Sequence, residues 1–126
     1  VHDVLRTLDW LRGCGYRKIH LVGRGLGAIT ALFAAVLEPR LDHVTLINGL
    51  LSYHELTQCP IHRWPQSAQI RGILKLLDLP DCCRAIGRRL SIVEPWDARM
   101  RPIPRRGIRQ RIREIGLPVS MLHPRQ

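Results

Sequence analysis

The sequence predicts an α/β fold built on a parallel sheet. Short apolar runs of strand length, at 18–22, 43–47 and 90–94, alternate with segments of helical periodicity. Each run is closed by a turn signal, at Gly23, at Asn48-Gly49 and at Pro95. Strands separated by helices pair in parallel through right-handed crossovers.

The elements follow in order. Asp3 is placed to cap a first helix running to about Arg12, with Val4, Leu8 and Leu11 on one face and Leu5 beside them. Gly13 and Gly15 end it. Lys18-Ile19-His20-Leu21-Val22 reads as a strand, with His20 packed inside it. Gly23-Arg24-Gly25-Leu26-Gly27 is a tight turn. The helix that follows, from about Leu26 to Glu38, is apolar nearly all round, as in a helix pressed into the fold, and Pro39 stops it. A second strand spans 43–47. Residues 52–66 form an irregular excursion broken by Pro60 and Pro65, with His54 and His62 at its surface. The spacing of Ile70, Ile73, Leu74 and Leu77 predicts a helix over 67–77 with those residues inward. A short helix starts at Pro80 or Asp81 and ends near Gly87. Residues 90–94 form the third strand, with Pro95-Trp96-Asp97 at its carboxyl end. Trp96 reads as packing. A basic amphipathic helix over 105–115 turns Ile108, Ile112 and Ile115 inward and Arg106, Arg109 and Arg113 outward. Residues 119–122 make a short last strand ending at His123.

Composition bounds the function. The chain has 126 residues, 45% of them hydrophobic and 5% aromatic, so one domain with an aliphatic core is expected. The formal net charge is +10. No aromatic residues interleave with the basic run, so solvated arginine faces are expected and no specific nucleic-acid partner. No stretch resembles a secretion signal, and no apolar run suits a bilayer. A cytoplasmic location with reduced cysteines follows as the expectation. Cys59, His62, Cys82 and Cys83 do not have the spacing of a common zinc module, so no metal is expected. Oligomeric state stays open.

The glycine-rich turn fits two chemistries. Gly23, Gly25 and Ala28 satisfy the dinucleotide fingerprint G-x-G-x-x-A. Gly23 and Gly27 satisfy the outer positions of the nucleophile elbow G-x-S-x-G, which puts Gly25 at the nucleophile position. Context favours the elbow. An amphipathic helix already precedes the strand, whereas the fingerprint follows the first strand of its domain. The second strand ends in Asn48, where a ribose-binding acid is required.

Residues 3–51, with the link Glu38-Pro39-Arg40-Leu41-Asp42-His43-Val44, resemble the α/β-hydrolase superfamily. Gly72-Ile73-Leu74, Asp78-Leu79-Pro80-Asp81 and Glu94-Pro95-Trp96-Asp97 resemble its acetyl-xylan-esterase-like and dienelactone-hydrolase-like members. The resemblance implies a partial α/β-hydrolase parallel sheet flanked by helices, from the elbow strand to the carboxyl end. Residues 1–126 then correspond to the carboxyl-terminal part of one hydrolase domain, since a complete one needs roughly 200 residues. It implies cleavage of a small carboxylic ester or an acetylated saccharide, with no cofactor. Carried over, Gly25 holds the nucleophile position, Asp97 the acid, His123 the histidine, and the Leu26 amide one oxyanion donor. The early loop that supplies a second donor has no counterpart here. Acyl transfer needs an oxygen or sulfur nucleophile, so Gly25 predicts a chain without hydrolase activity. Two rivals remain: a dinucleotide-binding module, and a scaffold whose basic helix docks an acidic partner.

Overall fold

Four parallel strands lie side by side in their order along the chain: β1 (His20–Arg24), β2 (His43–Ile47), β3 (Leu90–Val93) and β4 (Leu122–His123). A computed structural model describes residues 1–124. The helix α2 (Leu26–Leu37) joins β1 to β2. The helices α3 (His54–Gln58) and α4 (Leu79–Ile86) lie between β2 and β3, and α5 (Arg105–Glu114) lies between β3 and β4. The first helix, α1 (His2–Gly13), precedes β1 and packs on α2.

A constant strand order with right-handed crossovers puts every crossover helix on one face of the sheet. Burial agrees with this. Gly23, Val44, Leu46 and Ile92 point into the helix layer and are buried. His20, Val22 and Arg24 alternate with them along β1 and are exposed. His43, Thr45 and Ile47 occupy the same outer face on β2, by register with β1. The core lies between the sheet and its single helix layer, where Leu32, Leu41, Val44, Leu79 and Ile112 are fully buried. Alanines 28, 31, 34 and 35 of α2 are buried and let that helix lie close to β1 and β2.

Two polar clamps fix the connections. Glu38, after α2, accepts hydrogen bonds from Arg40 Nε at 2.9 Å, Arg40 Nη2 at 2.8 Å and Arg12 Nη1 at 2.8 Å. The Arg40 side chain first, then its backbone amide and Arg12, hold the Glu38 carboxyl down to about 2 against the cost of burial. This ties the end of α1 to the link before β2. The second clamp is Asp78, which caps α4 in a capping box with Asp81.

Several expectations are corrected. Residues 67–77 do not form a helix: two short 3₁₀ turns, Gln66–Ala68 and Ile73–Lys75, replace it. Gly72 between them takes φ +76°, which breaks the helical path. Ile73 and Leu77 still reach the core, but Ile70 and Leu74 are exposed. His20 is not packed inside; it lies on the exposed outer face, because β1 carries helices on one side only. Asp3 does not cap α1, whose N-cap position is Val1. The first strand runs through Gly23 and Arg24, so the chain turns at Gly25. The excursion contains the short helix α3, held by buried Leu56. Residues 119–121 are a 3₁₀ turn, and only Leu122 and His123 pair with β3.

Candidate functional site

The carboxyl edge of the sheet carries a row of unusual backbone. Arg24, Ile47 and Val93 sit side by side in register at the ends of β1, β2 and β3. The next residue of each strand has positive φ: Gly25 at 56°, Asn48 at 55° and Glu94 at 42°. Such conformations cost a non-glycine residue about 1–3 kcal/mol and persist only where surroundings enforce them. The enforcing contacts are present. Gly25 N donates to the Ile47 carbonyl at 2.9 Å, and Asn48 N donates to the Val93 carbonyl at 3.0 Å. Arg24 Nε donates to Asn48 Oδ1 at 3.2 Å, and Asn48 Nδ2 donates to the Glu94 carbonyl at 2.9 Å. Asn48 is buried, and both ends of its amide are engaged.

Gly25 has φ 56° and ψ −122° and stands at the N-cap of α2. A Cβ built there meets nothing within 4 Å, so a side chain would project into open space. The same is true at Gly27. At Gly23 a Cβ would lie 2.4 Å from the Gly27 carbonyl oxygen. Leu26 opens α2, with its side chain exposed.

Asp97 serves its own turn. Its Oδ1 accepts from the amides of Arg99 at 2.8 Å and Arg101 at 2.9 Å, and its carbonyl accepts from Trp64 Nε1 at 2.8 Å. His123 pairs with Val93 and faces outward at the end of β4. Its backbone lies three strand spacings from Arg24, about 14 Å. The structure therefore places Gly23 in β1, Gly25 at the turn and Leu26 and Gly27 in the first turn of α2, and puts Asp97 and His123 in separate pockets. Trp96 is half-buried against the core, its amide donating to the Gly49 carbonyl.

Sequence reading missed a polar cluster on the outer face. His20 Nε2 lies 2.8 Å from Thr45 Oγ1, and His43 Nε2 lies 2.7 Å from Ser91 Oγ. The His20 and His43 rings meet edge-on, with centroids 4.9 Å apart. Period-two spacing within each strand was the available signal, but it needed the register to show which residues share a face. Burial, then the neighbouring His20 and His123, hold the His43 imidazolium form down. A histidine with a lowered folded pKa stabilises the fold above its ordinary value of 6.5. That contribution is lost as pH falls through the folded value. Denaturant midpoints measured from neutral pH downward are expected to drop first below 6.5, from His43, and again below 4.5 as Glu38 protonates towards 2. His43→Gln should remove the first drop and leave the second.

Cys82 and Cys83 are buried on α4; burial raises both thiols, and that of Cys83 to about 12, which makes it a poor nucleophile. Cys59 Sγ donates to the Ile61 carbonyl. Among the described residues, no group of three His, Cys, Asp or Glu side chains could hold a metal ion. No helix among them is long and apolar enough to cross a membrane. No protein family, curated protein or solved structure matches the chain.

Proposed function

We propose that this chain is a non-catalytic α/β-hydrolase-like unit, corresponding to the elbow strand onward of enzymes that cleave carboxylic esters. The observation that supports this most is the turn at Gly25. A parallel strand ends there, the backbone takes φ 56° and ψ −122°, and a long apolar helix begins at the next residue. A side chain at position 25 would stand free above the carboxyl edge of the sheet. That is where a nucleophile elbow presents its oxygen. Glycine supplies no oxygen, so the covalent step of acyl transfer has no starting atom. Thr30 lies more than a turn along α2 and does not substitute for it. The carboxylate of Asp97 is committed to its own loop, which supports loss of the relay as well.

A small ester or an acetylated saccharide is the substrate class of the proposed parent chemistry. The dinucleotide reading has less support. Its ribose contact would fall to Asn48, whose amide is already engaged by Arg24 and Glu94.

The test combines activity and stability. The chain should release nitrophenol from p-nitrophenyl acetate no faster than a heat-denatured control. Gly25→Ser and Gly25→Ala should fold yet lose about 1–3 kcal/mol, because a Cβ makes the backbone at 25 strained. A burst of nitrophenol from the parent chain would mean that another residue is the nucleophile. Two variants as stable as the parent, by denaturant midpoint, would remove the elbow from the reading.

A further inference from the structure

We infer that the outer face of the sheet is a docking surface for an acidic amphipathic helix of another polypeptide. All-parallel sheets occur almost only with both faces covered. Here the crossover helices occupy one face, and the other presents a groove of about 630 Å³. Apolar side chains mark this face on a diagonal. Val22 is 55% exposed on β1, in register with Thr45 and Ser91, and one row further along the strands Ile47 and Val93 lie side by side on β2 and β3, between Arg24 and His123. Val22 and Ile47 offer a seat to the apolar ridge of a helix.

Charge selects the partner. Among the described residues, the ionisable groups lining this groove are His20 and Arg24 from β1, His43 from β2 and His123 from β4, and β3 contributes Ser91 and Val93. No carboxylate among the described residues lines the groove. Asp42, at its rim, is turned onto the Ile19 amide at 2.8 Å. Carboxylates flanking an apolar ridge would therefore meet a cation and three imidazoles, with no like charge among the described lining residues opposing them. A second copy would bring the same cations face to face, which disfavours self-association. The Thr45 and Ser91 hydroxyls already hold His20 and His43 in place, so little side-chain freedom is left to lose on docking.

The inference does not depend on the chemistry proposed for Gly25, and its test is a binding measurement. Two synthetic amphipathic helices of about 18 residues, five turns each, share one leucine stripe. Glutamates flank the stripe in one and lysines in the other. Each is titrated into the full chain at about pH 7.5 and about pH 5.5, which bracket histidine titration. The glutamate helix is expected to bind one to one and to shift the amide resonances of Val22, Thr45 and Ser91. Its affinity should rise up to about tenfold at the lower pH, because the helix's carboxylates favour the protonated form of a facing imidazole. His43→Gln should reduce that rise, Arg24→Glu should weaken binding at both pH values, and the lysine helix should not bind. Four results would overturn the inference. The glutamate helix could fail to bind at either pH, or both helices could bind equally. The shifts could fall on Arg105, Arg106, Arg109 and Arg113 of α5. Finally, the chain alone could dimerise through this face, in a dimer that Val22→Arg dissolves.

Discussion

Gly23→Ala is expected to leave the chain largely unfolded. A Cβ at position 23 would lie 2.4 Å from the Gly27 carbonyl oxygen, 2.7 Å from Ala31 Cβ and 2.8 Å from Ala28 Cα. Two of these are backbone atoms of α2 and the third is a methyl fixed to that backbone. No rotamer change relieves them, so α2 must move off β1. Yet α2 packs along both β1 and β2 and carries Leu32 and Ala35 into the core, so the displacement spreads. Overpacking a core usually costs about 1–3 kcal/mol and more where nothing yields. We expect about 3 kcal/mol or more, a large part of the total for a small domain. Gly27→Ala is the matched control. It lies in α2 with nothing within 4 Å of its Cβ, so it should be neutral or slightly stabilising. Denaturant unfolding followed by circular dichroism compares the three chains. A Gly23→Ala variant within about 1 kcal/mol of the parent, well below the usual overpacking range, would show that the strand and helix are not in this close approach.

The two outer glycines of the turn are thus alike in sequence and different in cause. Gly23 is required by packing, whereas Gly27 is spared any contact. A motif shows which positions are small, and only the fold shows why. The same limit explains His20. Its neighbours Ile19, Leu21 and Val22 suggest a strand buried on both sides, but sidedness depends on where the crossover helices lie. That depends on strand order, which no local pattern contains. The missing helix at 67–77 is different, because its signal was present. Four aliphatic residues kept helical spacing, but Gly72 sat among them, and its φ of +76° divides the segment into two turns. Propensity lost there to local backbone geometry. In the row of positive φ values, Asn48 was readable in principle, since Asn tolerates that region. Glu94 was not, because glutamate has no local preference for that region, and the Asn48 amide bonded to its carbonyl comes from another strand end.

Asp78→Ala should be the other severe substitution, by a different route. One carboxylate serves two segments. Its Oδ1 accepts from the amides of Tyr53 and Leu79, each at 2.7 Å. Its Oδ2 accepts from the Ser52 hydroxyl and, at 3.4 Å, from the His54 amide. The Asp78 amide donates in turn to Asp81 Oδ2 at 2.8 Å. The chain leaving β2 is thereby fastened to the first turn of α4, which buries Leu79, Cys82, Cys83 and Ile86 in the core. Alanine removes the cap of α4, worth about 0.5–2 kcal/mol. It also leaves the Ser52 hydroxyl and the amide of Tyr53, both on buried residues, short of an acceptor, at about 1–3 kcal/mol. The two losses overlap, so we expect about 3 kcal/mol in all. Asp78→Asn keeps one acceptor oxygen and should recover part of this. Asp81→Ala breaks only the reciprocal half of the capping box and should cost about 1 kcal/mol. Hydrogen exchange separates the mechanism from general loosening. In Asp78→Ala the amides of Tyr53 and Leu79 should lose protection before those of Val44 and Leu46, which lie in the middle of the sheet. Uniform loss of protection would mean that Asp78 acts on global stability without fastening the two segments, and an Asp78→Ala variant no weaker than Asp81→Ala would remove the clamp from the account.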